Sequence, residues 1–491
     1  MTTAPTSSSS RAEHRGTGPT RTDAARTARA ARVSTTASRV FRWALGPVTF
    51  AVLLWRWCSA LPGIRVDDAV LCTLGLAPPA TAGATTWPAH AWSAAACSPV
   101  DGTATVTSAA LPARLAEQLT PLVTGATGLD LRVLAGVLAV VMTVLVVAGS
   151  AAVPGRPLVR AGVAVLAVVV LVDPWSTKVL LGAGPASAAL VGAAATAVSL
   201  AWLTRRPFTA TIAATVSTAS WSTASPSLGW VVVPVVAGLV VVLVVRTSGV
   251  ERVVGVAVVA AAIAALTTTA WAGARLASQD DAVDARTRHV QMVTSVTGSD
   301  VARATFGLGP GTGDGAVRDG DPDPAFASLD DLALVRGSLV HPATTVVLAD
   351  RAVSALLDAD TGPAEDVGTT PVTVVAGAFA GLPLLALGLH LAVAAASAAL
   401  AGRRRLGSRA TGVGIAALVM LTASWAVFWG WVLTGDPADP VPAVVLTATT
   451  LALVPLLPVQ LAVLLRSGPA VSGRQRHRRI VLTTVRTGAH R

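Results

Sequence analysis

Long apolar runs separated by short polar turns set the pattern of this chain. The runs lie at about 43–61, 131–153, 158–172, 179–203, 208–224, 228–245, 253–274, 372–400, 413–433 and 441–465. About 20 apolar residues cross the hydrocarbon layer as a helix, so the pattern predicts an all-α polytopic membrane protein. About ten transmembrane helices are predicted, and eight to eleven fit the same pattern. Two runs are soft: 179–203 is rich in Ala and Gly, and 208–224 in Thr and Ser. Two longer polar stretches, 62–130 and 275–371, interrupt the series. In the second, GLGPGTGDGAVRDGDPDP reads as turns, whereas DDLALV and TTVVLADRAVSALLD look helical. The organisation is therefore a tail 1–42, seven helices with a loop over 43–274, a large loop 275–371, three helices over 372–465, and a tail 466–491.

Charge adds an orientation. The chain is 53% hydrophobic and only 13% charged, far below the roughly 25% of soluble proteins, and carries a net charge of +11. That surplus sits in the two tails and in the short turns PGRPLVR, LTRRP, RTSGVER and GRRRLGSR. With ten spans all six of these segments fall on one side, as the arginine bias of cytoplasmic loops requires. Both termini are then expected in the cytoplasm of a cell with its plasma membrane crossed many times. Residues 1–42 hold too few large apolar side chains to bury a core and read as a disordered basic tail. Arginines distributed in this way read as a topology signal and not as a nucleic-acid stripe, so no nucleic-acid partner is expected. The chain has no Tyr, no Asn and a single lysine, Lys178, a bias of GC-rich bacterial genomes.

Candidate chemistry gathers after the first span. The stretch LPGIRVDDAVLCTLG carries adjacent carboxylates, Asp67 and Asp68, close behind Arg65. One of them could act as a general base, or could orient a divalent cation that holds a diphosphate leaving group. The alternative is a pair of solvated acids at a helix end. Cys72 and Cys97 share that loop, and an oxidising exterior favours a bridge between them; it would close about 25 residues and contribute around 3 kcal/mol. Asp173, followed by Pro174 and Trp175, is a second exterior acid that a helix bundle could bring to the same place. As an alternative it is an ordinary turn-former beside an interfacial Trp. Lys178 is a phosphate contact or an end-marker. In the large loop His341 is a proton donor or a packed side chain, and Arg336 is an anion contact or an ion-pair member. His390 falls inside a span, where a polar group needs a partner.

The layout resembles the integral-membrane GT-C type glycosyltransferases: a cytoplasmic N-terminus, acids directly after span one, a large first exterior loop and many further spans. VDDAVLCTLGL, TGLDLRVLAGVL, the VDP turn at 172–174 and a late HP pair are similar to actinobacterial membrane proteins of surface-glycan hexose transfer. The resemblance implies transfer of a sugar from a polyprenyl-phosphate donor to a cell-envelope glycan acceptor, with Asp67 or Asp68 as base. The sequence departs from that pattern after Asp173, where WSTKVLLGAG has no Asn and, beyond Trp175, no further aromatic residue. A non-catalytic scaffold of envelope assembly and a transporter or flippase are the other two classes the pattern admits. Few ionisable residues lie deep in the spans, which weighs against transport.

Overall fold

The computed structural model describes residues 44–61, 64, 108, 110–125, 128–155, 157–246, 250–276, 279–297, 299–309, 324–356, 369–402, 407–436 and 439–466. The chain divides into a unit Met1–Val48, of which 44–48 are described as helical, and a unit Thr49–Arg491 that holds all the packing considered below. The described residues form helices, turns and connections, with no strand among them. In chain order the helices are α1 Ala44–Ala60, α2 Ala110–Val123, α3 Leu131–Ala152, α4 Pro157–Val172, α5 Pro174–Leu181, α6 Pro185–Trp202 and α7 Pro207–Ser222. A 3-10 segment Pro226–Val231 leads to α8 Val232–Arg246 and α9 Val250–Leu276. The large loop contributes α10 Gln279–Thr297, α11 Ser299–Thr305, a turn Pro324–Ala327, α12 Asp331–Val340 and α13 Pro342–Leu356. The chain ends in α14 Pro371–Gly381, α15 Pro383–Gly402, α16 Gly407–Thr434 and α17 Val441–Arg466. Prolines open α5, α6, α7 and α14 in the first turn, where a missing N–H costs nothing.

This is an all-α fold with the helices of a multi-pass membrane protein. Five helices are long and apolar enough to cross: α3, α6, α15, the Arg409–Thr434 part of α16 and the Val441–Leu465 part of α17. The number rises to seven if two sharply bent pairs each count as one span, α4 with α5 at 70° and α12 with the Pro342–Val353 part of α13 at 108°. Shorter apolar helices occupy Ala44–Ala60, Leu228–Val242 and Val254–Thr268. The predicted runs fall mostly on helices, but the run 179–203 takes in the end of α5, a break at 182–184 and then α6. The run 372–400 is two helices, because Pro383 offers no N–H to continue α14 and forces Leu382 out of the helical region (φ −136°, ψ 69°). The second bent pair lies in a segment the sequence assigned wholly to a loop.

Close approach of small residues holds the bundle together, as expected where lipid supplies no hydrophobic drive between helices. A Cβ on Gly192 of α6 would lie 2.9 Å from the Trp221 Cβ of α7. Beside it Thr196 Oγ1 donates to Ser217 Oγ at 2.9 Å. A Cβ on Gly414 of α16 would meet the Ser397 carbonyl of α15 at 2.7 Å. Gly412 of α16 sits closer still against the Ala201 carbonyl of α6. His390, the predicted in-span polar residue, bonds its own helix through Nδ1 and the Ala386 carbonyl (2.8 Å) and packs edge-on against Trp425.

Candidate functional site

Two polar junctions stand at the end of the bundle to which the first loop belongs. The first is built on the α4–α5 bend. Asp173 fills the bend and is 6% exposed. Its Oδ1 accepts from the Trp175 backbone N–H at 2.9 Å, which caps α5. The same oxygen accepts from Thr370 Oγ1 at 3.1 Å, and Oδ2 faces the Val372 N–H at 3.4 Å. Thr370 is itself the N-cap of α14, with a reciprocal bond from its own N–H to Thr373 Oγ1 at 2.7 Å. One carboxylate thus serves the N-termini of two helices, where unpaired N–H groups and the positive end of the dipole both favour an anion.

The same bend leaves the last carbonyls of α4 without helical partners. Trp57 of α1 donates its indole N–H to the Leu171 carbonyl at 3.1 Å, and Arg56 Nε donates to the Val172 carbonyl at 3.3 Å. Trp57 is fully buried there. The chain leaves α1 through Leu61 and Ile64, both packed on the core. Arg65, Asp67, Asp68, Cys72 and Cys97 follow outside the described residues, and so does the bridge predicted between the two cysteines. Cys58, within α1, is a free thiol. Trp175 is buried in the bundle at 3% exposure, which puts its ring in the core and not on a surface. Lys178 is half-buried on α5, and its carbonyl accepts from the Gly182 N–H. Beside it the Thr177 hydroxyl is buried with no hydrogen-bond partner among the described residues.

The second junction ties the large loop to the α16–α17 turn. His289 of α10 is fully buried. Its Nδ1 lies 3.1 Å from the Gly435 carbonyl and its Nε2 3.3 Å from Ser338 Oγ of α12. A neutral ring with the proton on Nδ1 satisfies both contacts, donating to Gly435 and accepting from Ser338. Burial pushes the His289 pKa below the ordinary imidazole value, while the Gly435 carbonyl and the Asp436 charge pull the other way. Next to it Arg288 grips Asp436 with two bonds, Nη2 to Oδ2 at 2.6 Å and Nε to Oδ1 at 3.0 Å. Asp439 of the same turn accepts from Ser225 and from the Val441 N–H at 2.9 Å, joining this turn to the one after α7.

The predicted site residues therefore fall into separate groups. Asp173, Trp175 and Lys178 share the first junction, while Asp67 and Asp68 lie outside the described residues. His341 ends α12 with Nε2 3.0 Å from Thr305 Oγ1, and Arg336 is exposed on the same helix. Both belong to the large-loop helices. His289 was missed, although a signal existed: it flanks Val283, Val290 and Val293 on the apolar arc of α10, all of them buried. Among the described residues no group of His, Cys, Asp and Glu is arranged to hold a metal ion. Family models, curated proteins and solved structures give no match to this chain.

Proposed function

We propose that this chain transfers a sugar from a polyprenyl-phosphate-linked donor to a cell-envelope glycan acceptor on the outer face of the plasma membrane. In this reading both termini are cytoplasmic, and Asp67 or Asp68 is the base. The acceptor hydroxyl attacks the anomeric carbon and gives its proton to the carboxylate. The bond from that carbon to the phosphate oxygen breaks, and polyprenyl phosphate leaves. A divalent cation at the acid pair would neutralise charge on the departing phosphate. Arg65 and Lys178 are the nearest cations in sequence to the two acidic segments. His341 and Arg336 are assigned to the acceptor side only by the layout, while Trp175 is buried and is no sugar platform.

The observation that carries this reading is the docking of α1 on the α4–α5 bend through Trp57 and Arg56. Only two residues, Arg65 and Val66, separate the core-packed Ile64 from Asp67, a reach of at most about 11 Å over three chain steps. Ile64 stands at the end of the described α1 segment, and a lipid-linked donor would present its phosphate at the membrane face beyond that end. Asp173 acts here as a positioning residue, holding α5 and α14. The test is the Asp67→Ala, Asp68→Ala double variant, scored by envelope sugar composition and by transfer of labelled sugar from a polyprenyl-phosphate donor in membranes. Loss of transfer at unchanged protein abundance supports the reading, and an unchanged glycan overturns it.

A second reading is a non-catalytic scaffold of envelope assembly. It is favoured by one observation: Asp173, Asp436 and Asp439 all tie one segment of the fold to another. The same double variant separates the two readings, since a scaffold tolerates loss of both acids.

A further inference from the structure

The helix α2 has an unusual division of its surface. Its buried positions are Ala110, Ala113, Ala116 and Thr120, while Leu111, Leu115 and Leu122 are exposed at 63%, 47% and 81%. An amphipathic helix on a water-soluble body would bury its leucines and expose its alanines. At about 100° per residue the side chains fall into three arcs. Ala113, Ala116 and Thr120 cover one arc. Arg114, Glu117 and Gln118 cover a second, with Arg114 bonded to Glu117 at 2.9 Å. The leucines and Val123 cover the third.

The small arc packs on α3, one of the five helices long enough to cross the membrane, and Ser108 just ahead of α2 donates to the Ser220 carbonyl near the end of α7. At its other end Thr120 Oγ1 accepts from the Asp130 N–H that precedes α3 (3.2 Å). With 14 residues, about 21 Å, α2 is too short to cross by itself. A helix held to the flank of a span, with one apolar and one charged side, fits the boundary between lipid and water. We propose that α2 is an interfacial helix whose Leu111–Leu115–Leu122 arc is sunk in the acyl region of the bilayer while Arg114, Glu117 and Gln118 face water. It lies in the same polar stretch of sequence, 62–130, as Asp67 and Asp68. The membrane class of the fold supports this placement independently of any transferase activity.

The test uses the full chain in nanodiscs of phosphatidylethanolamine and phosphatidylglycerol. Benzoyl-phenylalanine replaces, one at a time, Leu111, Leu115, Leu122, Arg114 and Gln118, and the photoproducts are read by mass spectrometry. Lipid adducts several-fold more abundant at the three leucine positions than at Arg114 and Gln118 are the expected result. Crosslinks from the leucine positions to residues 65–107 or to a second copy overturn the proposal, as does equal or absent lipid labelling at all five positions. None of these outcomes depends on sugar transfer, so the inference and the proposed function fail separately.

Discussion

The two junctions at the first-loop end of the bundle solve the same problem with opposite chemistry. Each brings a titratable side chain into a buried place to join segments far apart in sequence. At the first, Asp173 is an acceptor supplied with donors by two helix N-termini and a threonine hydroxyl. At the second, His289 is held as a neutral ring between a carbonyl and a hydroxyl. Backbone N–H groups at a helix start have no other partner, so a carboxylate there is tolerated as an anion. A carbonyl and a hydroxyl provide no counter-charge, so the imidazole stays neutral. The first junction is built of caps, and the second of a docking contact between a loop and a turn.

Removing the acid is the strongest way to break that contrast. Asp173→Ala leaves the N-termini of α5 and α14 short of an acceptor at one stroke. One cap is worth about 0.5–2 kcal/mol, so the pair should cost about 1–4 kcal/mol, with Asp173→Asn falling between variant and parent. Thermal unfolding in detergent or nanodiscs measures it. A shift no larger than that of a surface substitution would show that the two helices do not share this cap.

His289→Leu tests the other junction at similar volume. It strands the Gly435 carbonyl, while the Ser338 hydroxyl can turn its single proton to the Leu433 carbonyl 3.4 Å away. The expected loss is about 1–3 kcal/mol, the penalty of one buried group left unmade. It should be local: hydrogen exchange quickens in α10 and α12 while α3 and α6 keep their protection. A uniform rise across the bundle would contradict a docking role.

These two junctions were not equally legible in the sequence. Asp173-Pro174-Trp175 after an apolar run announces a helix start, because Asp caps and Pro opens helices, and both facts are local. The second client of Asp173, at Thr370, lies 197 residues away, and no local pattern points to it. His289 was harder still, since a buried neutral histidine has the same one-letter signature as a solvated one. The membrane class and most of the long apolar helices were legible, because hydrocarbon demands long apolar helices and permits little else, whereas α5 and α10 were not. The break at Leu382 could have been read from Pro383, but an apolar run hides it from a count of hydrophobic residues. The inversion of α2 was not legible, because which arc faces protein depends on α3, which packs closely on alanines and not on leucines.

Acid should separate the junctions without any mutation. Because the His289 pKa is lowered in the folded protein, the unfolded or undocked state binds the proton more readily. The contribution of this contact is then fully present above the ordinary imidazole value of 6.5 and is lost as pH falls through and below it. Limited proteolysis of the large loop should therefore be faster at pH 5 than at pH 7.5, and His289→Gln should flatten that dependence. A loop equally resistant at both values would mean that protonation is absorbed without undocking. In that case Asp436, the nearest acid, is the group expected to compensate the charge.

Arg288→Gln offers the smallest effect and the finest distinction. Arg288 is 44% and Asp436 19% exposed at the side chain, so water screens much of their attraction. Two-point geometry raises the value of the pair above that of an ordinary surface bridge, yet about 0.5–1 kcal/mol is the most such an exposed pair supplies. The variant should lower the stability of the docked loop by that amount and lose its effect in 1 M salt, where parent and variant converge. The acid response of His289 should survive the change, because its cause is burial and not the neighbouring guanidinium. If Arg288→Gln instead abolished the pH dependence, the ion pair and not the buried ring would be the element that holds the loop. The second junction would then be, like the first, an arrangement of charges and not of a neutral side chain.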